Sequence, residues 1–197
     1  MSSTSAPTPR RRLSREDRLR QLLDVAWQLV RDEGTEALTL GRLAELAGVT
    51  KPVVYDHFAT RAGLLAALYQ DFDARQDRVF SERIEASGAT LEDRAWVIAA
   101  SYVECVLLQG REIPGVIAAL SSSPELESLK REYEVIFLDK CRAALSPFGR
   151  VSQAGLRAML GAAEALSQAA ASGEISREEA QQELLETILA MVNRARL

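Results

Sequence analysis

Histidine is almost missing from this chain. His57 is the single one among 197 residues, which leaves no histidine-rich metal site and removes most His-dependent catalytic triads. Cysteine is nearly as scarce. Cys105 and Cys141 cannot build a disulfide framework, and both fall in stretches patterned as helix interior. A redox switch made from them would need a lowered thiol pKa, and nothing in the sequence visibly lowers either one. Long apolar runs are missing too. Nothing approaches the ~20 consecutive apolar residues of a membrane span. The opening MSSTSAPTPRRRLSRED is polar and basic with no apolar core behind it, unlike a secretory signal. The expected setting is therefore a reducing cytoplasm, with no membrane partner. Strand signals are absent: there is no sustained alternation and no Asn-Gly or Asp-Gly turn. So are the P-loop, GxGxxG, GxSxG and HExxH patterns, and the expectation is no enzyme, no catalytic residue, no cofactor and no metal.

What is present is an ordinary soluble composition, 47% hydrophobic and 26% charged, on a length that fits one or two domains. The net charge of −4 is unevenly spread. Residues 1–20 carry six arginines against Glu16 and Asp17, whereas residues 61–197 hold fifteen basic and twenty acidic side chains. A basic tip on an acidic body suits one end meeting a polyanion, although a solvated arm gives the same count.

Almost everything after the first dozen residues is patterned as helix. Residues 1–13 read as a flexible basic arm. Ser14 with Asp17 opens a helix to about Glu33, whose apolar face includes Leu19, Leu22, Ala26 and Leu29, and Gly34 ends it. Short helices follow from about Leu40 to Ala47, capped by Thr39, and from just after Thr50 to near Phe58, with Pro52 in the first turn. Thr60 caps a long helix over 61–86. Thr90 with Asp93 opens one to about Leu108, a short one lies near Pro114–Leu120, and another spans 124–145. Ser152–Ala171 is alanine-rich, and Ser176 with Glu179 opens the last, to about Ala195. The fold class is all-α, with nine helices.

Residues 40–58, LGRLAELAGVTKPVVYDHF, hold two short helices meeting at a glycine, a helix-turn-helix pattern. Ala44 sits where the helices cross, and Gly48 supplies the turn. Leu43, Ala47, Val49 and Val54 can form the joining core. That leaves Lys51, Pro52, Val53, Tyr55 and Asp56 largely outward. A plain helical hairpin shows the same pattern.

This stretch and its flanks resemble the TetR family of bacterial transcriptional regulators. The matching residues are Ala26, Gly34, Leu43–Ala44, Ala47-Gly48-Val49-Thr50-Lys51, Val54-Tyr55-Asp56-His57-Phe58, Arg61 and Gly63-Leu64-Leu65. The resemblance covers about residues 15–70; beyond that it is one of kind only. Arg61 departs from the lysine usual there, with cationic phosphate contact expected to survive. The resemblance implies a helix-turn-helix DNA-binding domain over 14–60 and a helical ligand-binding and dimerisation domain over 61–197. Tyr55 and His57 match phosphate-contacting positions. Thr50 offers a hydroxyl beside free helix N–H groups. Lys51 can take a phosphate or a guanine edge, and Pro52 and Val53 can touch only a thymine methyl or sugar. Thr39 and Arg42 complete the expected DNA-binding set.

The implied dimer has support in the sequence. Helix 152–171 is rich in small residues, and the last helix carries a broad apolar stripe. Ala158, Ala162, Leu166, Leu184 and Ile188 are the expected interface, although the same helices could complete an intrachain core. Trp96, Tyr102, Cys105, Tyr133, Phe137 and Met159 are the candidate pocket for an unknown small-molecule effector, although aromatics at this spacing also serve as plain core. The resulting expectation is a homodimeric repressor on a near-palindromic double-stranded operator, released by ligand. The competing classes are an all-helical enzyme, which lacks its motifs here, and an interaction module, which would not need Thr50, Lys51, Tyr55 and His57.

Overall fold

Helices begin in this chain where a short hydroxyl side chain can accept from the unpaired N–H groups of a first turn. In the computed structural model, which describes residues 13–112, 115, 116, 118 and 124–194, the Ser14 hydroxyl accepts from the Asp17 N–H at 3.0 Å. The Thr60 hydroxyl accepts from Gly63 at 3.0 Å, and Ser152 from Gly155 at 3.0 Å. Two capping boxes close in both directions. Thr90 accepts from the Asp93 N–H while the Asp93 carboxylate accepts from the Thr90 N–H, at 3.1 and 3.2 Å. Ser176 and Glu179 repeat this at 3.1 and 2.7 Å.

The elements are α1 (Arg15–Glu33), α2 (Leu40–Ala47), α3 (Lys51–Phe58), α4 (Arg61–Ala86), α5 (Leu91–Glu112), α6 (Pro124–Leu145), α7 (Gln153–Ser172) and α8 (Arg177–Arg194), with 3-10 turns at Thr35–Ala37 and Ser146–Phe148. The described residues contain no strand, and the fold is all-α. The helix α5 runs past the expected end near Leu108, through Gly110. The basic arm at 1–12 and most of the expected helix near Pro114–Leu120 lie outside the described residues. Among the described residues, no helix is long and apolar enough to cross a membrane.

The chain divides into two units, one ending at Leu64 and the other beginning at Leu65. In the first, Leu22 and Ala26 of α1, Leu43 and Ala44 of α2, and Val54 of α3 are all essentially inaccessible to water. In the second, α5, α7 and α8 share a core that includes Ile98, Val103, Leu156, Met159, Leu184 and Ile188. Each such side chain contributes about 1.5–3 kcal/mol by leaving water.

Candidate nucleic-acid interface and ligand cavity

The turn between α2 and α3 is set by Gly48, whose φ of +63 would strain any residue with a Cβ. The N–H groups of Gly48 and Val49 return to the carbonyls of Glu45 and Ala44 at 3.2 and 3.0 Å, which closes α2. The chain then restarts at Thr50. Val54 and Phe58 anchor α3 in the unit's core, so the opposite face of α3 is turned outward. Lys51, Pro52, Tyr55 and Asp56 are exposed, with Tyr55 52% accessible. Val53, expected outward, is half-buried, as is Val49, expected in the core. Thr50 makes no capping bond with its side chain. Lys51 has no ion-pair partner among the described residues. Its stem lies over Gly41 of α2, with Cε 3.7 Å from where a Cβ would stand.

His57 is half-buried. Burial first, then the positive charge of Arg15, holds its pKa below the ordinary imidazole value. At neutral pH it is an uncharged donor rather than a cation. The Thr39 hydroxyl accepts from the Arg42 N–H at 3.1 Å and caps α2.

Two arginines of the expected set are committed elsewhere. Arg42 lies between carboxylates on α1 and α2, 2.7 Å from Glu33 and 3.6 Å from Glu45. Arg61 donates from Nε to the Leu38 carbonyl at 3.0 Å and from Nη2 to the Thr35 carbonyl at 2.9 Å. Its planar fork satisfies the turn that precedes α2, where a lysine would supply a single charged point.

The second unit holds a cavity of about 560 Å³ between α4, α5 and α6, with α7 and α8 at its edge. Of the expected pocket residues, Tyr102, Cys105, Tyr133 and Phe137 line it. Trp96 and Met159 do not. Trp96 faces outward, 43% accessible, and Met159 is buried in the α5–α7–α8 core at 1%. Sequence reasoning missed the α4 wall: Tyr69, Asp73, Gln76, Phe80 and Arg83 all line the cavity. Their spacing of four, three, four and three was the available signal, because it places them on one helix face.

The rings form two groups across three helices. Tyr69 meets Tyr133 edge-on at 5.7 Å between centroids, and Phe137 meets Phe80 at 5.5 Å and Tyr102 at 5.4 Å. Burial raises the pKa of Tyr69 and Tyr102 above the ordinary phenol value, so both stay neutral. Burial also pushes the Cys105 thiol up to about 12, with the Asp73 charge adding to it. Cys141 is fully buried and raised by the same desolvation. Both remain thiols at neutral pH, which is unsuited to a redox switch.

The expected interface residues separate. Ala158 is exposed and Ala162 and Leu166 are half-buried on α7, together with exposed Ala154, Gly161 and Ala165. Leu184 and Ile188 are at 1% and 0% accessibility inside the chain's own core. The apolar stripe of the last helix is spent on α5 and α7, and those two residues have no surface left for a partner.

Comparison with known proteins adds a sequence likeness at one end and a fold likeness over most of the chain. Residues 22–68 match the model for bacterial regulatory proteins of the tetR family. The HTH-type transcriptional activator FasR of Mycolicibacterium smegmatis is 41% identical over 59 residues, 30% of this chain and 27% of that protein. The match thus spans about a quarter of that curated relative. A TetR transcription regulator from Haloarcula marismortui superposes with a TM-score of 0.71 at 16% identity, covering 89% of this chain and 98% of the other. A TetR-like transcriptional regulator from Rhodococcus sp. RHA1 gives 0.62 at 20% identity, covering 90% and 97%. At such identities these two show the fold.

Proposed function

We propose that the chain, whose residues 22–68 match the model for bacterial regulatory proteins of the tetR family, is a homodimeric transcriptional repressor of that family. It acts in the cytoplasm on a near-palindromic double-stranded operator and is released by a small molecule in the second unit. The observation that carries this reading is the outward face of α3. Lys51 and Tyr55 are exposed there beside the Thr50 hydroxyl, while Val54 and Phe58 hold the opposite face in the core. Such a helix fits the DNA major groove, with its N-terminal residues at base edges and its N–H groups near phosphate.

One recognition helix reads only a few base pairs, so specificity asks for two, about 34–36 Å apart on one face of B-DNA. The exposed small residues of α7, Ala158, Gly161 and Ala165, support a close helix approach between two copies. The helix α4 contains residues of both units, from Arg61 in the first to Asp73 and Phe80 on the cavity wall. A ligand that favours one placement of α4 would therefore bias the spacing of two recognition helices.

The test is fluorescence anisotropy on the DNA flanking the chain's own gene, with sedimentation of the free protein and transcription from that promoter in vitro. A dimer that binds this DNA and lowers transcription supports the reading. FasR is named an activator, so higher transcription on binding would reverse the sign and keep the DNA contact. No binding to any fragment would remove the regulator reading.

A further inference from the structure

We propose that the cavity takes a lipophilic organic cation, an amine or quaternary ammonium, held beside Asp73 among the rings of Tyr69, Tyr102 and Tyr133. This rests on the reading of the cavity as the effector site and names the chemistry of what enters it.

The wall is charged, and most of its charges are already matched. Arg83 pairs with Glu104 at 2.7 Å. Lys130 lies between Glu134 and Glu164, at 3.7 and 3.8 Å. Arg177 holds Glu178 at 2.9 Å, and Lys140 pairs with Asp77. Asp73 is the carboxylate left over: it lines the cavity with no hydrogen bond or ion pair among the described residues. Its charge is felt at Tyr69, Tyr133 and Cys105, all on the same wall.

An anionic head group would have to break one of the pairs above and then sit near Asp73. A cation breaks none of them and adds to the counter-charge at Asp73, where Lys140 acts only through space while paired with Asp77. Ring faces replace part of the water a cation gives up on entry. None of the three tyrosine hydroxyls has a hydrogen-bond partner among the described residues, so they can turn their oxygens toward a positive charge. The remaining lining, including Phe80, Phe137 and Leu160, suits an alkyl or aryl tail.

The experiment is isothermal titration of the full chain with three ten-carbon probes: decyltrimethylammonium, decanoate and decan-1-ol. The cation should bind at least about tenfold tighter than either of the others, and Asp73→Asn should remove most of that margin while leaving decan-1-ol unchanged. Tyr102→Leu should weaken the cation more than the alcohol. Circular dichroism checks that each variant is folded. Equal binding of all three probes, or an Asp73→Asn variant that keeps the full margin, overturns the cation and leaves the cavity an effector site for another class. Tight binding of decanoate alone does the same. No binding by any probe, with operator affinity unmoved by all three, overturns the cation and removes the support for an effector at this cavity.

Discussion

Arg61 Nε donates to the Leu38 carbonyl at 3.0 Å, and so ties the first residue of α4 to the turn that launches α2. With the second bond to Thr35, whose carbonyl also accepts from the Leu38 N–H at 3.2 Å, the guanidinium holds both ends of that turn. Arg61 therefore has a structural task in the DNA-binding unit. Arg61→Ala should lower the stability of that unit by about 1–3 kcal/mol, the cost of losing both bonds. Arg61→Lys should recover only part of it, having lost the fork. Urea unfolding followed at Trp27, which is buried in this unit, measures both. If Arg61 acts instead through phosphate, Arg61→Ala will leave stability unchanged and flatten the salt dependence of DNA binding.

The exposed residues of α3 should behave in the opposite way. Lys51→Ala and Tyr55→Phe should leave stability within about 0.5 kcal/mol, because both side chains face solvent. Operator affinity should fall by about 1–3 kcal/mol for a base contact. A phosphate contact through Lys51 should instead lower the salt slope by about one. Anisotropy titrations over a range of salt concentrations separate these outcomes. Unchanged affinity and slope in both variants would move the DNA surface away from α3.

Local chemistry carried the fold. Hydroxyl caps at Ser14, Thr39, Thr60, Thr90, Ser152 and Ser176, and Gly48 at its turn, are short-range signals, and the helices start where those residues stand. The ends drifted where the signal was weak. Gly110 does not stop α5, because helix continuation outweighs a single glycine cost of about 1 kcal/mol. Tertiary choices were less legible. Period alone showed that Leu184 and Ile188 share an apolar stripe, but it could not say whether that stripe meets its own chain or a second copy. Arg42 and Arg61 read as free cations because their partners are Glu33 on another helix and carbonyls in a turn. Asp73 escaped notice because one carboxylate among several on a long helix reads as solvated until the neighbouring helices close over it.

The entry to α4 depends on Gly63. A Cβ built there would stand 2.1 Å from the Phe58 carbonyl oxygen, a backbone atom that cannot swing aside. Just before it, Ala59 is held at φ 55 and ψ −49, a conformation that glycine adopts at lower cost. Gly63→Ala should destabilise by about 1–3 kcal/mol, and Ala59→Gly should stabilise by up to about 1 kcal/mol. Thermal unfolding of both variants gives the signs. A stable Gly63→Ala variant would mean that the junction has room the geometry denies.

The last two helices make a paired test of the dimer. Ala162→Arg puts a charge on the half-buried face of α7 that the dimer reading assigns to a partner. Ile188→Asp puts one in the chain's own core. The first should leave a folded chain that sediments as a monomer and loses operator affinity. The second should unfold the second unit, since an unpaired buried carboxylate costs several kcal/mol. A folded dimer in Ala162→Arg would place the interface elsewhere.

Asp73 ties stability to pH. Burial first, then the like charge of Asp77, raises its pKa from 3.8 to about 6, and Lys140 opposes the shift. A carboxyl whose pKa is higher in the folded chain adds stability while it is protonated. That contribution is complete below about pH 4 and is lost as pH rises through about 6. At neutral pH the ionised group therefore works against the fold. Asp73→Asn, neutral at every pH, should stabilise the chain by about 1 kcal/mol at pH 7.5. That magnitude allows for solvent screening, since the group is only partly covered. Near pH 4 the gain should vanish. The tyrosines and Cys105 around it titrate far above this window and do not blur it. Urea unfolding of both proteins at the two pH values reads the difference directly. The same gain at pH 4 and 7.5 would show that the side-chain amide packs better there, and that the carboxylate charge carries no penalty in the cavity wall.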